Sequence, residues 1–157
     1  MRSLNAFCLL LALLLTARAV DADPIVLDDC DSAAAWTAEA SDGVSIRLSD
    51  DTRAGARCLR IDFDFHRGAG FCVFRRPIDV KFPARYRLRF NICGEAPSNN
   101  FELKLIDPSG DNVWWHNRRA FEFPREWTTL TTRSSHVEFA WGPAGAESRL
   151  ERARAIE

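Results

Sequence analysis

Several signatures that announce an enzyme are missing from this chain of 157 residues. There is no Gly-x-Ser-x-Gly elbow to present a nucleophilic serine, no phosphate-binding loop and no HExxH zinc motif. The three histidines, His66, His116 and His136, have no triad partner and no metal-binding spacing. Without a CxxC pair, or a histidine at zinc-finger distance from a cysteine, a structural zinc is not expected. An excess of one charge is lacking too. The 21 basic and 22 acidic residues nearly cancel, so nothing strongly basic is present to attract nucleic acid or anionic lipid. Paired carboxylates can serve a glycosidase as acid and base. The nominees here, Glu102, Glu122 and Glu138, sit in alternating strands or beside Phe121 and Phe123, where a solvated face is the ordinary explanation.

Long apolar runs are confined to one place. Arg2 precedes the stretch Phe7 to Leu15, and small residues follow it. The run is shorter than the roughly 20 residues of a membrane-spanning helix, so residues 1–19 read as a secretory signal peptide. Ala17-Arg18-Ala19 fits the small-x-small cleavage rule, and Val20-Asp21-Ala22 is a second candidate. Cys8 lies inside the apolar run and not after a lipoprotein box, so lipidation is not expected. Cleavage after Ala19 removes Arg2 and Arg18 and no acidic residue, leaving 19 basic against 22 acidic. The expected mature protein is secreted or periplasmic, not inserted in a membrane, monomeric and built as one domain from residue 25 to 157.

Export makes Cys30, Cys58, Cys72 and Cys93 candidates for two disulfides, with three connectivities. Their spacing does not choose among them, and burial as small apolar side chains is the competing reading. If 58–65 pairs with 70–76 as a hairpin around His66 to Ala69, Cys72 falls opposite Phe63. That register argues against a Cys58 to Cys72 bridge.

What the sequence has in abundance is alternation. In LRIDFDF, Leu59, Ile61, Phe63 and Phe65 take one face while Arg60, Asp62 and Asp64 take the other, as in a half-buried antiparallel strand. The same period runs through Val44 to Leu48, Tyr86 to Ile92, Phe101 to Leu105 and His136 to Trp141. Turn signals at Asp42-Gly43, Gly68-Ala69-Gly70, Pro97-Ser98-Asn99 and Pro108-Ser109-Gly110-Asp111 separate them. About eight short strands are expected. The one helical turn expected is at Asp31 to Trp36, and the tail Ala146 to Arg154 is left uncertain. An all-β sandwich follows.

The densest chemistry lies in DNVWWHNRRAFEFPREW, residues 111–127, with three of the five tryptophans, a histidine, two asparagines and three arginines. Neighbours on a strand point to opposite faces, so Trp114 and Trp115 cannot do the same job. Either Trp115 and Asn117 face solvent, or Trp114, His116 and Arg118 do; alternation alone leaves both open. His136 and Glu138 share the polar face of their strand and can join Trp115 across the sheet. Asn99 and Asn100 read as turn formers, and Trp36, Trp127 and Trp141 as core.

Taken in order, WTAEASDGVSIRLSDD, LRIDFDF, LKLIDPSGDNVWWHNRRAFEFPREW and HVEFAWGP resemble the galactose-binding-like jelly rolls. The resemblance spans about Ile25 to Glu157 and is nearest to family-eleven carbohydrate-binding modules and, more distantly, to the discoidin-like modules of exported bacterial proteins. It implies a jelly-roll β-sandwich that binds polysaccharide or oligosaccharide without catalysis, through Trp115, Asn117 and Arg119, with His136 and Glu138 alongside and Trp114 in the core. A sugar suits such a face, since its C–H surface packs on a ring while guanidinium and amide groups direct its hydroxyls. It further implies one structural calcium held by Asp29, Asp50 and Asp51, against the alternative of solvated turn aspartates. Modules of this kind close with a further strand, so the sandwich is expected to lack its last strand. Other domains tend to follow, making this one module of a larger polysaccharide-acting protein. A structural or protein-interaction sandwich is the alternative, and a glycoside hydrolase fragment the third reading.

Overall fold

A computed structural model describes residues 24–157; the expected signal peptide and both cleavage sites lie outside the described residues. Ten strands form in chain order: β1 (Thr37–Ala40), β2 (Val44–Arg53), β3 (Ala56–Phe65), β4 (Cys72–Lys81), β5 (Arg87–Ile92), β6 (Asn99–Ile106), β7 (Val113–Phe121), β8 (Thr128–Arg133), β9 (Glu138–Trp141) and β10 (Arg152–Ile156). Two short 3-10 turns, Ala33–Ala35 and Ser134–His136, are the helical content among the described residues. The first falls where the sequence placed a turn.

The larger layer is a six-stranded sheet in the order β1-β4-β10-β6-β7-β9. The other layer consists of two separate ladders, β2-β3 and β5-β8. All pairings are antiparallel. The expected all-β, jelly-roll-like sandwich is what forms. Strands β2 and β3 stay in register from Val44 opposite Phe65 to Arg53 opposite Ala56, closed by Ala54-Gly55, both at positive φ. That is the turn geometry whose twist matches a two-residue hairpin.

Between the layers lies a core centred on Leu105, Trp114, Leu150 and Ala153, with Ile78, Phe82, Tyr86, Leu88, Val137, Phe139 and Ile156 packed around it. Leu105 and Ala153 are wholly buried. A second group, Ile106, Val113, Ala155 and Ala140, packs on the opposite face of the same strands. A bulge between Ala153 and Ala155 reverses the alternation, so each alanine reaches a different face.

Two readings are corrected and one left open is settled. Strands β3 and β4 do not form a hairpin: β3 pairs with β2, while β4 pairs with β1 and β10, because the His66 to Gly70 loop carries the chain from one layer to the other. The uncertain tail contains β10, inserted in the middle of the large sheet between β4 and β6. Its alanines are buried on the two faces, Ala153 with Leu105, Trp114 and Leu150 and Ala155 with Ile106 and Val113. Trp127 and Trp141, expected in the core, are 40% and 48% exposed. Trp36 is half-buried against Phe74, its ring centroid 5.5 Å away.

Candidate functional site

The outer face of the large sheet, turned away from the core, carries one continuous rung. Thr37 stands opposite Arg75, Ile156 opposite Arg76 so that Glu157 meets Arg75, Lys104 opposite Trp115, and Trp115 opposite Glu138. Glu157 and Lys104 complete it through paired main-chain hydrogen bonds. The side chains follow the rung. Arg75 Nε donates to Glu157 Oε1 at 2.6 Å, Lys104 Nζ lies 3.1 Å from Glu102 Oε2 and 4.0 Å from Glu157 Oε2, and the Lys104 ammonium stands 5.7 Å from the Trp141 ring.

Two rings form the apolar part of this face. Trp115 and Trp141 meet edge to face, centroids 5.7 Å apart at 85°, the arrangement that opposes one ring's positive edge to the other's negative face. Trp141 is placed there by a bulge between Val113 and Trp114, which shifts the β7-β9 register. Gly142 then turns the chain with φ of 132°; a Cβ there would stand 2.5 Å from Asn112 Oδ1 and 2.6 Å from the Asp111 carbonyl. Asn112 in turn is buried, donating through Nδ2 to Asp107 Oδ2 at 2.9 Å and accepting from the Ala144 N–H at 2.7 Å. The turn signal at Pro108 to Asp111 therefore does two things: it reverses the chain between β6 and β7 and braces the Trp141 corner.

Trp114 is buried, its Nε1 donating to the Ser148 carbonyl at 3.2 Å, and it meets Phe139 edge to face. This resolves the alternation in favour of Trp115, Asn117 and Arg119 on the outer face. Asn117 Nδ2 donates to Glu102 Oε1 at 3.4 Å, while its Oδ1 has no partner among the described residues. Arg119 is exposed near the end of β7. Glu138 joins Trp115 on its rung, as expected. His136 does not. It ends the Ser134–His136 turn with its ring centroid 5.1 Å from that of His116, tilted by 42°, on the side of Trp114 and not of Trp115. His116 bonds Thr132 Oγ1 through Nδ1 at 2.9 Å. Burial first, then Arg118 and His136, holds its imidazole below the ordinary value despite Glu138.

Lys104 and Trp141 were missed as members of this face. Lys104 was legible in the alternation Phe101-Glu102-Leu103-Lys104-Leu105, which places it with Glu102 away from the leucines. Trp141 was not, because the bulge that exposes it leaves no mark in a regular period.

The three aspartates expected around calcium do not converge. Asp50 and Asp51 are consecutive on β2 and point to opposite faces, Asp50 accepting from the Ala33 N–H and Asp51 facing Arg60 at 3.5 Å. Asp29 accepts from the Asp31 N–H at 3.3 Å. Among the described residues no group of three histidines, cysteines or acids is placed to hold a metal. The neighbouring Asp28 has a different occupation. It accepts from the Cys30 N–H at 2.7 Å and from Trp36 Nε1 at 3.3 Å, and pairs with Arg76. Burial alone would raise its carboxyl, but these donors together hold it below the usual range.

Two surface hollows, of about 220 and 360 Å³, are present, one at the β1-β4 end of the same rung, by Thr37, Glu39 and Arg75, and one on the outer side of β2-β3 among Arg47, Asp51, Arg60 and Asp62. No helix among the described residues is long and apolar enough to cross a membrane. The chain matches no family model, no curated protein and no solved structure.

Proposed function

We propose that the protein is a non-catalytic carbohydrate-binding module of the galactose-binding-like kind, exported as part of a larger polysaccharide-acting protein, and that the outer sheet face is its binding surface. The observation that carries this is the edge-to-face pair of Trp115 and the exposed Trp141, ringed by Lys104, Asn117 and Glu138. A pyranose ring placed against an exposed indole buries its C–H face, and hydroxyls around its rim take bonds from ammonium, amide and carboxylate groups. Opposite charges on the rung largely neutralise one another, which suits a neutral sugar more than a polyanion.

Calorimetric titration of the protein against β-glucans, galactans and uronic-acid polymers tests the reading. Saturable heat with at least one neutral polymer is expected; flat titrations against all of them would sink it. A second reading, a structural or protein-interaction sandwich, draws on the two separate ladders of the smaller layer, each of which leaves strand edges unpaired.

A further inference from the structure

The smaller layer poses a mechanical problem. Ladders β2-β3 and β5-β8 share no strand, so no row of main-chain hydrogen bonds ties one to the other. No residue of β2, β3 or β5 is fully buried, although each strand alternates as a sandwich strand should. The tie that exists is the segment Phe123 to Arg125. Arg53, next to the β2-β3 turn, donates to the Arg125 carbonyl at 3.1 Å. Gly94, just past β5, donates to the Pro124 carbonyl at 2.8 Å. Phe123 touches both sides, with its centroid 6.3 Å from that of Phe63 on β3 and its ring against Gly94.

Two cysteines flank this clip. Cys58 pairs with Asp51 near the turn end of β3, on the side shared by Arg60 and Asp62. Cys93 follows Ile92 and continues the side of Arg89 and Asn91. By alternation both thiols therefore lie on the outer side of the smaller layer. Both are free thiols and half-buried, where Arg60, Asp62, Arg89 and Asn91 are exposed.

We propose that Cys58 and Cys93 are an oxidisable pair, and that a disulfide between them staples ladder β2-β3 to ladder β5-β8. The oxidant is an external disulfide of the glutathione class. One cysteine, as thiolate, attacks a sulfur of that disulfide and displaces one thiol; the second attacks the mixed disulfide at the protein sulfur and displaces the other. The protein loses two electrons and two protons, and the oxidant becomes two thiols. The Cys58 thiol is pushed up by burial, then by Asp51 and Cys93, so exchange calls for mildly alkaline conditions. Cys30 lies apart beside Asp28, and burial and that carboxylate push its thiol up to about 11, so it ionises least.

The test is to incubate the full chain with oxidised glutathione at mildly alkaline pH, alkylate the remaining thiols, digest and map by mass spectrometry. A Cys58-Cys93 linked peptide is expected, lighter by two hydrogens than its parts, with Cys30 and Cys72 alkylated. The double variant Cys30→Ser/Cys72→Ser should keep the link, and the oxidised protein should melt at higher temperature than Cys93→Ser treated alike. All four thiols alkylated, a link involving Cys30 or Cys72, links only between molecules, or an unchanged melting temperature would each overturn the proposal.

Discussion

Glu157 and Lys104 exchange both of their main-chain hydrogen bonds, at 2.8 and 3.0 Å, and the Glu157 carboxylate lies buried between Arg75 and Lys104. This joins β10 to β6 in the middle of the sheet and fixes the rung that runs on through Trp115 to Glu138. Replacing Glu157 by alanine leaves two cations without their shared partner. Because Arg75 is half-exposed, the expected loss is modest, about 1 to 2 kcal/mol by urea denaturation. Glu157→Gln, which keeps hydrogen-bond acceptance, should lose less.

Trp114 occupies the core that Leu105, Leu150 and Ala153 enclose. Trp114→Ala empties that space and leaves the Ser148 carbonyl without its donor, so a destabilisation of about 3 to 5 kcal/mol is expected. Thermal and chemical denaturation of the variant beside the parent protein check it.

Acid should unfold the protein partly through Asp28. Its folded carboxyl titrates below the ordinary value, so its contribution is fully present above the unfolded value near 3.8 and is lost as pH falls through the folded one. Asp28→Asn should flatten the acid limb of stability against pH below about pH 4 and lower stability at neutral pH by about 1 to 3 kcal/mol, since Arg76 loses its partner. An unchanged acid limb in the variant would contradict this.

His116 acts with the same sign at higher pH. Its folded imidazole takes a proton less readily than the unfolded one, whose ordinary value is near 6.5, so protonation favours the unfolded chain as pH falls below that value. Stability should therefore decline from neutral pH into the mildly acidic range, and His116→Gln should remove that decline. Urea midpoints at a series of pH values decide it.

Much of the fold was legible because alternation is strong wherever one face is wet. LRIDFDF became β3 in register with β2, and the split between Trp114 and Trp115 followed from the pleat alone, although which one is buried needed either the resemblance or the structure. The path from β3 to β4 was not legible, since a glycine loop can close a hairpin or change layers. In β10 the pattern Arg-Ala-Arg-Ala-Ile does alternate, but alanine carries little strand preference, and its place between β4 and β6 emerges only in the fold. Bulges hid the rest: one exposes Trp141, and the Ser134–His136 turn takes His136 to the inner side while Glu138 stays on the outer one.

The central claim is that the outer face binds sugar through its rings, and the most direct measurement compares Trp115→Ala with the parent by isothermal titration against whichever neutral polymer binds. If the ring stacks on sugar, affinity should fall by roughly 1 to 3 kcal/mol, as for aromatic stacking on other planar partners, while the thermal melt shifts far less than that of Trp114→Ala. Undiminished binding by Trp115→Ala would contradict the account.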